Sequence, residues 1–316
     1  MNYSIVITVF NEEKSISRLV EDLVKQITPR GEIVIVDGGS RDNTYKILLK
    51  FSSKYKKIRI YKKIGNIASG RNFGIKKAKH TIIVMTDAGV ILHKNWLGEI
   101  LKPFNNMETD CVAGFYQMTS RNLISKAAIP FLGVTQRKYN KDIFLPSCRS
   151  IAFRKNIWKK IGGFNENLPD AGEDTLFNYG LVEINAKIVR NPKAIVYWEV
   201  PNNLFSMFKK FYRYAKGDGY MTILWNKTQR FNTHFLKILT IYIRYFLLIF
   251  LLYFDFYLFI ILLFLYIFYA IYKNKDEDLG KSLIFTPLIQ ILSDFAVMIG
   301  FFRGIIDKAW DIVMKQ

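Results

Sequence analysis

Residues 32–44, EIVIVDGGSRDNT, change from apolar to acidic to turn-forming within one short stretch. The unbroken β-branched run at residues 33–36 predicts a strand buried on both faces, as in a parallel sheet that helices cover. Asp37 follows at the carboxyl end of this strand, and Gly39 allows a tight turn into a helix. Because ligands of open α/β sheets bind outside the carboxyl ends of the strands, Asp37 is expected at a ligand site. Capping of the turn is the alternative role for this aspartate.

The segments on either side repeat the pattern of strand and helix. Residues 4–10, SIVITVF, predict a first strand, and the apolar spacing at residues 16–27 predicts the helix that joins it to the second. Further strands are predicted at residues 58–61 and 80–86. Two strands joined by a helix form a right-handed crossover and lie parallel. The strand tips are therefore expected side by side.

Charged residues recur at these predicted tips. Asp87 directly follows the fourth strand, and Arg71 lies just before that strand in SGRNFG. An isolated arginine is more often solvated surface. Two acids and a forked cation on adjacent tips, however, suit a ligand that combines a hydrogen-bonding base with a phosphate. The pattern indicates a nucleotide.

The composition limits the classes of partner. The chain has 316 residues and a net charge of +20, so an anionic partner is expected: nucleic acid, anionic lipid or a phosphorylated substrate. Cys111 and Cys148 are the only cysteines, and their spacing is not that of a metal site, which indicates buried side chains in a reducing compartment. No basic segment precedes the first apolar run, so no signal peptide is predicted and the amino-terminal part is expected in the cytoplasm.

The middle of the chain mixes regular and irregular segments. Strands are predicted at residues 111–118 and 149–153, followed by a final pair of short strands within residues 187–198. Residues 119–146 lack clear periodicity and are rich in cationic and aromatic residues. A segment of that length is interpreted as a lid or an acceptor loop.

Five short motifs occur in the order and at the spacing of a known family. They are TVFNEE from Thr8, DGGSRDNT from Asp37, SGRNFG from Ser69, TDAG from Thr86 and GEDTLF from Gly172. Together they resemble family 2 glycosyltransferases, the inverting enzymes of the GT-A fold, over roughly residues 1–220. The resemblance implies an α/β, Rossmann-like catalytic domain with a mostly parallel sheet and a nucleoside-diphosphate sugar as donor.

The resemblance also implies donor-binding roles for single residues. Phe10 would stack on the nucleobase, and Asp37 would hydrogen-bond it. Asn11 and Glu12 would lie beside the ribose, while Arg71 would approach the base or the diphosphate. The other positions that match donor-binding motifs are Thr8, Gly39, Thr86, Asp87 and Arg213.

The implied metal site departs from the family pattern at one position. Asp87 falls on the first acid of the family's Asp-x-Asp element, whereas Gly89 stands where a second carboxylate is usual. Mg²⁺ and Mn²⁺ prefer several oxygen ligands, so the resemblance implies a divalent cation held by Asp87 with diphosphate oxygens and water. His93 lies near in sequence and is a further candidate ligand, although a histidine at a helix start is more often structural.

Glu173 and Asp174 begin a predicted helix. Acids at a helix start ordinarily complement the helix dipole. This pair, however, matches the family element whose aspartate is the general base. The resemblance therefore implies that Asp174 deprotonates the acceptor hydroxyl and that Glu173 positions the acceptor or the loop. A base and a diphosphate leaving group on opposite faces of the sugar imply direct displacement with inversion, with the metal and Arg71 stabilising the departing charge.

The carboxyl-terminal part is basic and then apolar. Residues 204–224 predict a basic amphipathic helix that suits an anionic membrane surface, and contact of its Arg213 with the donor diphosphate ranks second. Residues 238–272 are almost wholly apolar and too many for one upright crossing, which takes about 20 residues. A hairpin that turns near Asp255 is predicted, and a single long tilted helix is the alternative.

Two domains follow from these patterns, a cytoplasmic GT-A domain at residues 1–225 and a membrane region at residues 226–316. Two or three hydrophobic helices are expected, at about residues 238–254, 256–272 and 283–303. The third is the poorest candidate because it contains polar residues. Three basic residues precede the first crossing and favour a cytoplasmic catalytic domain: Lys227, Arg230 and Lys237.

The leading interpretation is a membrane-anchored inverting glycosyltransferase. Its acceptor would be a polyprenyl phosphate, a lipid-linked oligosaccharide or a surface polysaccharide at the cytoplasmic leaflet. A nucleotidyltransferase on a related fold is an alternative, but it would require a glycine-rich phosphate loop after the first strand, and TVFNEE has no glycine. A non-catalytic basic protein that binds membrane or nucleic acid is favoured by charge alone. No nucleic-acid-binding module is recognised, so no nucleic acid is expected.

Overall fold

The β-branched run at residues 33–36 lies within a strand whose seven residues, Gly31–Asp37, are all buried. A computed structural model describes residues 1–168, 171–221 and 232–314, without the side chains of residues 232–237. The strands of this part are β1 (Tyr3–Val9), β2 (Gly31–Asp37), β3 (Ile58–Lys62), β4 (Ile82–Met85), β5 (Val90–Leu92), β6 (Cys111–Thr119), β7 (Ile151–Arg154) and β8 (Ile188–Glu199). The helices are α1 (Ile16–Gln26), α2 (Thr44–Lys54), α3 (Ile67–Lys77), α4 (Trp96–Leu101), α5 (Leu123–Leu132), α6 (Lys155–Ile161), α7 (Glu173–Glu183), α8 (Leu204–Met221), α9 (Asn232–Phe254), α10 (Phe256–Asn274) and α11 (Thr286–Val313).

The strands form one mixed sheet in the order β3-β2-β1-β4-β7-β6-β8-β5. The four strands β3, β2, β1 and β4 are parallel, as the strand–helix pattern predicts, whereas β7 is antiparallel to both β4 and β6. Val9 pairs with Asp37, so β1 and β2 end level with each other. This register places the loops after β1, β2 and β4 at one edge of the sheet.

The chain divides into two compact units. The first contains the sheet and comprises Met1–Met118, Asn140–Asn167 and Glu173–Glu199. Its core is a cluster of buried aliphatic and aromatic side chains from the sheet and from α3, α6 and α7. The second unit comprises Thr119–Tyr139, Leu168–Gly172 and the described residues from Val200 onward.

Three sequence-based expectations about regular structure are corrected. The final pair of short strands is wrong, because Ile188–Glu199 form one strand of twelve residues. Pro192 within it is exposed, and a strand tolerates proline best where its missing N–H would face solvent. An irregular loop over residues 119–146 is wrong for its first part, where Asn122 and Ser125 form a capping box at the start of α5. The three-residue strand β5 was not predicted.

The second unit contains the long apolar helices. A break at Asp255 is confirmed: α9 ends and α10 begins on either side of it, and Asp255 Oδ1 accepts a hydrogen bond from Leu258 N at 2.9 Å. Among the described residues, two helical segments are long and apolar enough to cross a membrane, Phe256–Asn274 and Gly280–Val313. The apolar part of α9, Ile238–Phe254, is shorter.

Polar residues inside this helical unit are paired. Asp294 of α11 is 1% exposed and accepts hydrogen bonds from Arg244 Nη2 of α9 at 2.5 Å and from Gln290 Nε2 at 2.8 Å. Tyr266 of α10 donates its hydroxyl to the same carboxylate. The charges of Arg244 and Asp294 therefore neutralise each other where three apolar helices meet, which is how buried ionisable groups are tolerated among such helices.

Helix α8 packs on α11 at very short range. A Cβ on Gly304 would lie 2.1 Å from the carbonyl oxygen of Lys216, and one on Gly219 would lie 2.1 Å from that of Phe301. Only glycine fits at these two positions. An ion pair between Lys216 Nζ of α8 and Asp307 Oδ2 of α11, at 3.0 Å, also joins the two helices.

Candidate active site

Asp37 is fully buried at the tip of β2. Its Oδ1 accepts hydrogen bonds from Gly39 N at 2.8 Å and Ser40 N at 2.9 Å, so this oxygen caps the turn. Its Oδ2 has no hydrogen-bond partner among the described residues. A buried acceptor without a donor is costly, and the N–H of a ligand would satisfy it. Asp37 therefore combines turn capping with a vacant acceptor at the expected ligand site.

The loop after β1 is tied to the loop after β2. Asn11 N donates to Ser40 Oγ at 2.9 Å, and Asn11 Oδ1 accepts from Arg41 N at 2.9 Å. Glu12 N donates to Thr44 Oγ1 at 2.7 Å. Asn11 adopts φ 54°, a left-handed conformation that is uncommon outside glycine. These contacts hold the loop after β1 against the loop after β2.

Phe10 belongs to the loop after β1, and 57% of its surface is exposed. A large aromatic ring left in solvent is unfavourable unless a partner covers it. A nucleobase has the flat, polarisable face that stacks on such a ring. Stacking of a nucleobase on Phe10 stays a prediction.

Arg71 of α3 joins two other parts of the site. It is 2% exposed, and its Nη2 lies 2.8 Å from Asp87 Oδ1, just beyond the end of β4. Its Nη1 donates to Glu173 Oε1 at the start of α7. Without a ligand, the arginine that was expected near the base or the diphosphate is neutralised by two carboxylates. The bridge fixes Asp87 and α7 relative to each other.

Asp174 follows Glu173 on the first turn of α7. Burial raises the pKa of Asp174 to about 6, and the neighbouring charge of Glu173 adds to this, while Arg71 and Arg149 act in the opposite direction. A carboxyl group with this pKa is ionised near neutral pH yet is a stronger base than an ordinary aspartate. These properties suit a general base.

Arg149 is a site residue that the sequence did not indicate. Its guanidinium lies 4.3 Å from the ring centre of Trp198 and 5.3 Å from that of Tyr116. Cation–π contacts of this kind hold a guanidinium in place. The three residues come from β6, β8 and the segment before β7, and only the folded sheet brings them together.

The remaining predicted donor-binding residues are distributed unevenly. Thr86 is 1% exposed and donates its hydroxyl to the carbonyl oxygen of Arg149 at 2.8 Å. Thr8 lies near the end of β1, and Gly39 adopts φ 97°, which favours glycine. Arg213 is exposed on α8 in the second unit, whereas the other predicted site residues belong to the first.

The side chains that could hold a divalent cation are few. Among the described residues there is no group of three or more His, Cys, Asp or Glu side chains with metal-binding geometry. Asp87 engages Arg71 through Oδ1 only, so Oδ2 can ligate, and the carboxylate of Glu12 lies close to Gly89. Two carboxylates with diphosphate oxygens and water form an acceptable set for Mg²⁺ or Mn²⁺. His93 Nδ1 accepts a hydrogen bond from Asn95 N at 3.3 Å, which agrees with its structural role.

The two cysteines lie in the core, as expected. Cys111 and Cys148 are both buried and free, and burial raises the pKa of each thiol. Neither has the exposure of a reactive cysteine.

Comparison with known proteins identifies relatives that match part of the chain. The Haloferax volcanii glycosyltransferase AglE is 26% identical over 181 residues, which is 54% of this chain and 58% of AglE. The chain thus spans a little over half the length of that relative. The Methanococcus voltae dolichyl N-acetyl-alpha-D-glucosaminyl phosphate 3-beta-D-2,3-diacetamido-2,3-dideoxy-beta-D-glucuronosyltransferase is 26% identical over 71% of this chain and 77% of its own. The poly-beta-1,6-N-acetyl-D-glucosamine synthase of Staphylococcus epidermidis is 22% identical over 74% of this chain and 59% of its own.

Solved structures share the fold. The mannosyltransferase PcManGT from Pyrobaculum calidifontis, in complex with GDP-Man and Mn²⁺, superposes with a TM-score of 0.54 at 16% identity, over 72% of this chain and 65% of its own. S. aureus TarS 1–349 in complex with UDP superposes with a TM-score of 0.51 at 21% identity, over 72% and 67%. The α/β class and the GT-A fold expected from the motifs are confirmed.

Family models match the chain itself. The model of glycosyl transferase family 2 matches residues 4–162, about half of the chain, and that of glycosyl transferase family group 2 matches residues 84–293. The matched ranges include the strand tips, the Arg71 bridge and the start of α7. The chain belongs to glycosyl transferase family 2.

Proposed function

We propose that the protein is a membrane-anchored inverting glycosyltransferase. It moves a sugar from a nucleoside-diphosphate donor to a lipid-linked or polysaccharide acceptor at the cytoplasmic face of a membrane. The observation that carries this proposal is the Arg71 bridge between Asp87, on the donor side, and Glu173, next to the base Asp174. The buried guanidinium of Arg71 thereby sets the distance between Asp87, proposed to face the diphosphate, and the start of α7, proposed to face the acceptor.

The donor half of the proposal rests on the strand tips. Asp37 Oδ2, which has no partner among the described residues, accepts a hydrogen bond from an N–H of the nucleobase. The exposed ring of Phe10 stacks on the base. Since the loops after β1 and β2 are already linked by hydrogen bonds, little order has to be gained on binding.

The acceptor half rests on α7. Asp174 takes the proton of the acceptor hydroxyl as its oxygen attacks the anomeric carbon. The bond from that carbon to the diphosphate breaks at the same time, and attack from the opposite face inverts the configuration. Glu173, held by Arg71, keeps the first turn of α7 in place.

The leaving diphosphate carries away negative charge. A bound divalent cation would supply positive charge to it, and Asp87 is the residue placed to hold that ion. Arg71, which is paired with Asp87 and Glu173, holds Asp87 in place for this role.

The membrane part of the proposal rests on composition and on relatives. Phe256–Asn274 and Gly280–Val313 are long and apolar enough to cross a bilayer. The names of two relatives describe action on a dolichyl-linked sugar phosphate and synthesis of a polysaccharide. Of the three basic residues that favour a cytoplasmic catalytic domain, Lys227 and Arg230 lie outside the described residues, as does the side chain of Lys237.

A donor screen tests the proposed function. Purified full-length protein in detergent is incubated with UDP- and GDP-sugars, with and without Mn²⁺, and release of UDP and GDP is measured. We expect release from one nucleotide class, stimulated by Mn²⁺. A protein that releases neither nucleotide, with or without a membrane lipid extract as acceptor source, would contradict the proposed function.

The pKa of Asp174 predicts the pH dependence of the reaction. A general base acts when it is deprotonated, so kcat/KM should rise with pH through an apparent pKa near 6 and level off above pH 7. The measurement is transfer rate between pH 5 and pH 8, with nucleotide binding at each pH as the control for folding. A rate that stays constant down to pH 5, while nucleotide binding is also constant, would exclude this assignment.

A further inference from the structure

Gly89 adopts a backbone conformation that favours glycine. Its φ is 80°, in the left-handed region where L side chains are strained. A Cβ built on Gly89 would lie 3.5 Å from Glu12 Oε2 and 3.6 Å from Glu12 Oε1. The carboxylate of Glu12 therefore occupies the space into which an acidic side chain at position 89 would project.

Glu12 is held in this position by its own loop. Asn11, immediately before it, has the left-handed φ of 54° that turns the chain at the end of β1. Strained backbone of this kind is concentrated at functional sites. Glu12 N is anchored to Thr44 Oγ1, and Ser15 Oγ donates to Glu12 Oε2, so that Oε1 is left for another partner.

We propose that Glu12 supplies the second carboxylate ligand of the divalent cation, in place of the absent acid at position 89. This inference rests on the proposed function. The strands β1 and β4 are parallel neighbours, so Glu12 and Asp87 follow adjacent strand ends. Asp87 offers its Oδ2, because Oδ1 pairs with Arg71. The role that the motif resemblance implied, contact of Glu12 with the ribose, is the competing explanation.

Recruitment of Mn²⁺ to the full-length protein tests the inference. Free Mn²⁺ is followed by electron paramagnetic resonance in the presence of UDP and, separately, GDP. Since loss of residues that only support a metal ligand costs about 10- to 100-fold in affinity, Glu12→Gln should weaken Mn²⁺ binding at least tenfold. Binding of the same nucleotides in EDTA should be unchanged, which also shows that the variant is folded. Equal weakening with and without Mn²⁺ would assign Glu12 to the ribose and overturn the inference.

A rescue experiment makes the test more specific. Glu12→Ala empties the space beside position 89, and Gly89→Asp can then fill it, since aspartate tolerates left-handed φ better than most residues. The double variant should bind Mn²⁺ more tightly than Glu12→Ala alone. Glu13→Gln is the matched control: Glu13 accepts hydrogen bonds from Asn43, and its loss should leave Mn²⁺ affinity unchanged.

Three negative outcomes are distinguishable. If the wild-type protein binds UDP or GDP but recruits no Mn²⁺, the inference fails while nucleotide binding stands. If wild type and Glu12→Gln recruit Mn²⁺ equally, the inference alone is overturned. A wild-type protein that binds neither nucleotide contradicts the inference and the proposed function together.

Discussion

Asp174→Asn is expected to lower the rate of sugar transfer by about 100- to 10,000-fold, the usual contribution of a general base. The amide has nearly the same size as the carboxylate, so the first turn of α7 and the Arg71 bridge should persist. What is lost is the proton acceptor whose pKa burial raises to about 6. The measurement is transfer of radiolabelled sugar from the donor identified by the screen, at pH 7.5.

Nucleotide affinity separates this effect from a general loss of structure. Asp174→Asn should bind UDP or GDP as tightly as wild type, because the proposed role of Asp174 is toward the acceptor and not the nucleotide. Asp37→Ala should give the opposite pattern, with nucleotide binding weakened because the base loses its acceptor oxygen. An Asp174→Asn protein with more than about a tenth of wild-type turnover would mean that another group takes the proton, since a base contributes at least about 100-fold.

The parallel half of the fold could be predicted because its determinants are local. The β-branched run at residues 33–36 and the similar run in β1 identify buried strands without any tertiary information. Asp255 likewise interrupts a continuous apolar stretch, and it caps α10 as a short polar residue does at a helix start. Strand β5 could not be predicted in this way, because three residues carry too little pattern and the strand depends on its pairing with β8.

The sequence indicates candidate site residues but not the contacts between them. Asp37 is the last residue of β2 and Asp87 lies two residues beyond the end of β4, so position alone indicates them. The pairing of Arg71 with Glu173 joins residues 102 positions apart, and no periodicity encodes it. The proximity of Glu12 to Gly89 is of the same kind, because it depends on which strands are neighbours. Such contacts become visible only when the strand order is known.

The Arg71 bridge leads to the second large expected effect, which concerns stability. Arg71→Met should lower the free energy of unfolding by about 3–5 kcal/mol at pH 8, because removing one partner of a buried ion pair leaves its carboxylates uncompensated. For a domain of this size that loss corresponds to a fall in Tm of about 6–20 °C. Arg71→Met combined with Glu173→Gln should recover part of the lost stability. Arg71→Lys should have a Tm between those of wild type and Arg71→Met, because an ammonium group cannot pair with two carboxylates at once as the guanidinium does. Thermal unfolding of the full-length protein in detergent measures all four proteins. An Arg71→Met protein with wild-type Tm would show that the bridge is not needed to hold Asp87 and α7 together.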